Sequence, residues 1–209
     1  MSNNTVFQKL EKIKKVDLIK FVKYNFLTPQ VKRAKGAYII PFKGAILGID
    51  RTATLILNGT IHFGINQLKG SKAETYVRLA ENSKWICEED VLLFFGTFID
   101  VHRDAVFESK FFSANTGSVI VVGKHIYLGH DVMMGRNIVI YDSDFHSIPG
   151  SDGNPVNYSK DVTIEDHVWL FVISINAFSF IASKTPKGNS IRVSYHASFI
   201  ILLPNVIPM

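Results

Sequence analysis

Between Ile120 and Ile138, aliphatic residues stand six apart, at Ile120, Ile126, Val132 and Ile138. A glycine follows three residues after each of the first three, at Gly123, Gly129 and Gly135. Neither a helical period of 3.6 nor a strand period of 2 generates a repeat of six. Such a repeat marks a parallel β-helix, in which each hexapeptide lays down one flat side of a coil and turns its aliphatic residue into the stack. The glycines suit tight corners that call for positive φ.

The period weakens on both sides of this stretch but does not vanish. Hexapeptide-like units start upstream at Ile49, Leu55, Leu79, Trp85 and Val91, with a loop-like break at NQLKGSKAETY and an irregular coil from Phe98 to Asn115. Downstream, a polar run (YDSDFHSIPGSDGNP, from Tyr141) interrupts the repeat before it resumes at Val162 and Val168. No Pro/Ser-rich linker divides the chain, so residues 37–170 are expected to form one continuous solenoid. Residues 171–209 carry no steady repeat and few charges after Lys187. They read as an atypical tail, either folded over the last coil or foreign to the design upstream.

Ahead of the solenoid, residues 1–30 are expected to supply a basic amphipathic helix spanning 5–27. Phe7, Leu10, Ile13, Leu18, Phe21 and Val22 form its apolar side and Lys9, Lys12, Lys15, Lys20 and Lys23 much of the remainder. Thr28-Pro29 ends it. Two roles suit such a helix: a cap on the open end of the first coil, or an interfacial helix lying on anionic membrane.

The 209 residues are enough for one domain with a substantial core. A hydrophobic content of 47% with 20% charged residues is that of a soluble globular chain. The net charge of +5 is concentrated near the N-terminus. No zinc-finger spacing or RNA-binding aromatic motif accompanies it, so nucleic acid is not an expected partner. Cys87 is the only cysteine, which excludes an intrachain disulfide and fits a reducing compartment. The start of the chain lacks the apolar core of a signal peptide, and the uncharged run Val168–Ser183 is shorter than a membrane span of about 20 residues. A cytoplasmic location, peripheral at the inner face of the membrane if the helix touches lipid, is the expectation.

The polar loop is where chemistry is sought. His146, among Asp142, Ser143, Asp144 and Ser147, is a natural general base for a hydroxyl group. Asp144 or Asp142 would fix its tautomer. A solvated histidine capping a turn is the plainer alternative. His125, His130 and His167 show no metal-ligand spacing. No G-x-S-x-G elbow is present, and Cys87 lies within an ordinary repeat.

The six-residue repeats, the loop YDSDFHSI and the following VTIEDHVWL together resemble the left-handed parallel β-helix O-acetyltransferases. Within them the chain is most similar to capsular and exopolysaccharide acetyltransferases related to the maltose and galactoside enzymes. The resemblance implies an all-β, left-handed hexapeptide solenoid with an N-terminal α-helix. It implies acetyl-CoA as co-substrate, no metal, and direct transfer to a sugar hydroxyl with His146 as base, beside which the loop itself offers Asp144 as the catalytic partner. It further implies an oxyanion donor near the site, Trp169 at the cofactor, Asn115 and Asp142 toward the acceptor, and a homotrimer with each site between neighbouring subunits. The glycine that follows Val-Trp-Leu in that family is Phe171 here, and the family's later coils are not evident. That departure motivates an alternative, a catalytically impaired binding or scaffold member of the same fold. A γ-type carbonic anhydrase would share the solenoid but needs a trio of metal-ligating histidines that the sequence does not display.

Overall fold

The computed structural model describes residues 15–143, 145–154, 157–171, 183–184 and 190–193. It is a left-handed parallel β-helix entered through one short helix, α1 (Leu18–Phe26). Each coil contributes one strand to each of three sheets. The first coil is β1 (Val31–Arg33), β2 (Ile39–Pro41) and β3 (Ala45–Ile49), so the solenoid starts ahead of Ala37. The second is β4 (Thr54–Leu57), β5 (Ile61–Ile65) and β6 (Thr75–Leu79), and the third β7 (Lys84–Cys87), β8 (Val91–Phe94) and β9 (Phe98–Val101). The fourth is β10 (Val106–Ser109), β11 (Phe112–Ala114) and β12 (Val119–Val122), and the fifth β13 (His125–Leu128), β14 (Val132–Met134) and β15 (Val139–Tyr141). β16 (Asp161–Ile164) and β17 (Trp169–Leu170) open a sixth.

Sheet I stacks β1, β4, β7, β10, β13 and β16; sheet II runs from β2 to β17, and sheet III from β3 to β15. Pairing among these strands is parallel throughout. Beyond them, β19 (Ser190–Val193) adds to sheet I parallel to β16, and β18 (Ser183–Lys184) pairs with it antiparallel. One strand after Leu170 thus extends the stack, although no six-residue period announces it. The rest of the 171–209 tail lies, beyond Phe171, outside the described residues.

The hexapeptide reading maps directly onto the sheets. Ile120, Ile126 and Val132 face the interior from sheets III, I and II in turn, each with no exposed surface. Ile138 is also buried in the core, at the corner before β15, and Ile140, paired with Ile120, is the interior position of that strand. The interior rows are continuous, as in Leu55–Trp85–Phe107–Ile126–Val162 on sheet I. Full burial of one such side chain stabilises the fold by about 1.5–3 kcal/mol, and a row of them overcomes the cost of ordering short strands. Trp85 joins this dry core with its indole N–H satisfied by Ser109 Oγ at 3.0 Å.

The corner glycines serve a purpose other than the one expected. Gly123, Gly129 and Gly135 are not among the residues with positive φ, which at the corners include Asn82, Asp104, Asp131 and Asn137. Asn and Asp tolerate the left-handed region. What Gly129 provides is proximity: a Cβ there would collide with the Asp166 carboxylate and lie 2.7 Å from the Asp166 amide nitrogen in the next coil.

α1 seals the open end of the first coil, but not with its apolar side. The lower edges of β2 and β3 present unpaired backbone groups, and polar side chains meet them. Asn25 accepts from the Ile39 N–H at 2.8 Å and donates to its carbonyl at 2.7 Å. Tyr24 Oη accepts from the Leu47 N–H at 3.1 Å, and Lys20 Nζ donates to Ala45 O at 2.7 Å. The stretch expected as one helix is interrupted: Val16 bridges to Phe42, and Asp17 caps a new helix start by accepting from Lys20 N. Residues 1–14 lie outside the described residues.

Candidate active site

Sheets III and I meet at a corner where the polar loop leaves the solenoid after β15 and returns at β16. Asp142 fixes the exit. Its buried carboxylate accepts three backbone N–H groups of the coil beneath, from Gly123 at 2.5 Å, Lys124 at 2.7 Å and His125 at 2.8 Å. Its carbonyl accepts from Lys160 N at 3.1 Å, which closes the excursion on itself. Both carboxylate oxygens of Asp142, expected to face the acceptor, are therefore engaged with the scaffold.

From this anchor the loop doubles back along the prism. Phe145 holds φ at 58°, a region that costs a bulky side chain of order 1 kcal/mol. The backbone turn lays the Phe145 ring 4.7 Å from the His102 ring, two coils below, and 6.2 Å from Tyr141. Gly123 leaves room for it, since a Cβ there would meet Phe145 Cε1 at 3.2 Å. His146 follows, solvent-exposed. Asn157 holds its backbone, donating to the His146 carbonyl and accepting from Ile148 N at 2.7 Å. Asp144, the expected partner of His146, lies outside the described residues.

His102 belongs to a polar array that sequence reasoning did not find. Arg78 grips Asp100 through two hydrogen bonds, Nε to Oδ1 at 2.6 Å and Nη2 to Oδ2 at 2.7 Å. Asp100 is buried, and His102 Nε2 stands 3.5 Å from its Oδ2. The hydrogen bonds to Asp100 hold the Arg78 guanidinium above its ordinary pKa. The signal was register: Arg78 and Asp100 are paired positions of β6 and β9. A period read along the chain does not reveal that adjacency.

Trp169 lies elsewhere. It stands on the outward side of sheet II, in register with Met133, 61% exposed, its ring 5.0 Å from that of Phe171. Asn115 follows β11 of the same sheet, at the corner between sheets II and III, where its side chain accepts from Thr116 N. Within the chain, then, His146 occupies the corner between sheets III and I, while Trp169 and Asn115 belong to sheet II and its corner with sheet III.

His125, His130 and His167 each stand beside a carboxylate. His125 Nε2 is 3.6 Å from Glu108, His130 Nδ1 2.7 Å from Glu89, and His167 Nδ1 3.2 Å from Asp131. Among the described residues, no three His, Cys, Asp or Glu side chains are grouped to hold a metal ion. No described helix is long and apolar enough to cross a membrane.

Three sheets of parallel coil strands with an N-terminal helix are consistent with a hexapeptide-repeat acetyltransferase. The particular relative found is distant: polysialic acid O-acetyltransferase of Escherichia coli O1:K1 / APEC, 27% identical over 96 residues. The match covers 46% of this chain and 29% of that protein. No family model and no solved structure matches the chain.

Proposed function

We propose that this chain is an acetyl-CoA-dependent O-acetyltransferase whose acceptor is a sugar hydroxyl of a bacterial capsular or exopolysaccharide, or its precursor. The observation that carries the reading is the loop bearing His146, extruded from a rigid solenoid and held by Asp142, Phe145 and Asn157. The distant likeness to an O-acetyltransferase supports the class of reaction.

In this mechanism the His146 imidazole removes the acceptor proton as the sugar oxygen attacks the thioester carbonyl. The tetrahedral oxyanion collapses with rupture of the C–S bond, an acetyl ester forms, and the imidazolium returns its proton to the departing CoA thiolate. Asp144 orients the imidazole. The Arg78–Asp100–His102 array flanks the acceptor and sets the position of the loop.

A site that uses both His146 and Trp169 is incomplete in one protomer and needs the outward side of sheet II from a second copy. Such a head-to-tail contact repeats around a closed ring, and a homotrimer of prisms satisfies it. Asn115, on the same side as Trp169, joins the acceptor side of that shared site.

Mixing two inactive variants tests this arrangement. His146→Ala and Trp169→Ala homo-oligomers are each expected to lose transfer, whereas randomly mixed oligomers recover about one quarter of the native sites. Activity in His146→Ala alone would remove the proposed base, and mixtures as inactive as their parents would remove the shared site.

The alternative, an impaired binding or scaffold member, is favoured by the Phe171 ring beside Trp169, where the family places glycine. Titration with acetyl-CoA separates the two. Saturable micromolar binding by the native chain supports the enzyme; binding only after Phe171→Gly supports the alternative.

A further inference from the structure

We infer that the outward side of α1 is a docking surface for anionic lipid, by which the chain lies peripherally on a membrane. Its first two grounds stand independently of the catalytic reading; the third rests on the ring proposed with it. Its first ground is the inversion of the helix: Tyr24 and Asn25 are turned inward to satisfy the strand edges, so the apolar residues point away from the protein. Leu18 is 61% exposed, Ile19 83%, Val22 48%, Phe26 59% and Leu27 70%. Leu18, Ile19, Val22 and Phe26 recur at helical spacing and form one stripe. A helix that only capped the solenoid would bury such a stripe.

The second ground is charge. Residues 18–49 hold Lys20, Lys23, Lys32, Arg33, Lys35 and Lys43 and no Asp or Glu. Lys20 is used internally, and Arg33 stacks over Phe26 at 5.0 Å and Tyr38 at 4.9 Å, which stiffens the end of the stripe. Lys15, Lys23, Lys32 and Lys35 are exposed. An apolar stripe bordered mainly by cations, with its one neighbouring carboxylate, Asp17, engaged as the helix cap beside Lys20, complements acyl chains beneath anionic headgroups. It does not complement a second copy of itself, which would bring like charges together.

The geometry adds a third ground. α1 covers the end of the prism, so its outward side faces along the solenoid axis. Parallel prisms in a closed ring present all their α1 helices on one flat end, and several weak contacts then act together.

The test is flotation of the full chain with vesicles of phosphatidylcholine alone and of phosphatidylcholine containing phosphatidylglycerol. The native chain is expected to float with the anionic vesicles only. The Ile19→Glu/Val22→Glu variant is expected to weaken that binding by at least about tenfold, and Lys23→Glu/Lys35→Glu by a similar factor. Both substitution pairs are at exposed positions, and an unchanged thermal melt checks the fold. Failure of the native chain to float, equal binding to neutral vesicles, or undiminished binding by either variant would overturn the inference. So would a change of oligomeric state in Ile19→Glu/Val22→Glu without native vesicle binding, which would assign the stripe to contact between copies.

Discussion

The rings of His102 and Phe145 lie 4.7 Å apart at a tilt of 31°, joining the extruded loop to the third coil. The pair sets where the residue after Phe145 stands. Phe145→Leu and His102→Ala are therefore expected to lower the rate of acetyl transfer by about tenfold or more, because small misplacements of a reacting group are costly. The melting temperature should barely move, since the loop lies outside the core. Steady-state kinetics beside a thermal melt checks both halves, and an unaltered kcat would detach the pair from the site.

Asp142 is expected to matter for stability first. Replacement by Asn puts an amide donor where three N–H groups need acceptors. A loss of about 3 kcal/mol is expected for buried donors left without a charged partner. Urea unfolding of Asp142→Asn measures it, and a midpoint equal to that of the native chain would contradict the assignment.

Gly129→Ala tests the reason for the corner glycines. The added methyl meets the Asp166 backbone rather than a forbidden φ, so the coils must part. A cost of about 1–3 kcal/mol is expected, as in other overpacked sites. The same urea experiment reads it.

Asp166 provides a pH signature. Hydrogen bonding from His130 N, then the nearby Lys110, His167 and His130, hold its carboxyl below the ordinary value of 3.8. A carboxylate whose folded pKa is lowered contributes stability above its unfolded pKa and loses it as pH falls through the folded one. Asp166→Asn is therefore expected to melt lower than the native chain at neutral pH. The difference should close as the medium is acidified below the carboxylate range. A difference that persists in acid would assign the effect to packing.

The core was legible because burial in a solenoid imposes a period along the chain. Ile120, Ile126 and Val132 each reported their sheet. What sits outside the core obeys register across coils, and no local spacing records that. Arg78 and Asp100 touch although 21 residues separate them. The helix misled for a related reason: amphipathicity reveals two sides but not which one the solenoid needs. Here the strand edges required hydrogen-bonding groups, so Asn25 turned inward and Val22 outward. His146 was visible as chemistry in a loop, while its distance from Trp169 followed only from the order of the sheets.

The closure between Asp142 and Lys160 has one more consequence. The Asp142 carbonyl accepts from Lys160 N where the loop returns. The exit is pinned to the coil below, and to the third coil through Phe145 and His102, so the loop is closed on itself at its base. Lengthening such a segment adds little closure cost, about 0.6 kcal/mol for each doubling. The segment between Ile148 and Asn157 is thus expected to tolerate a change of length while every coil keeps its register.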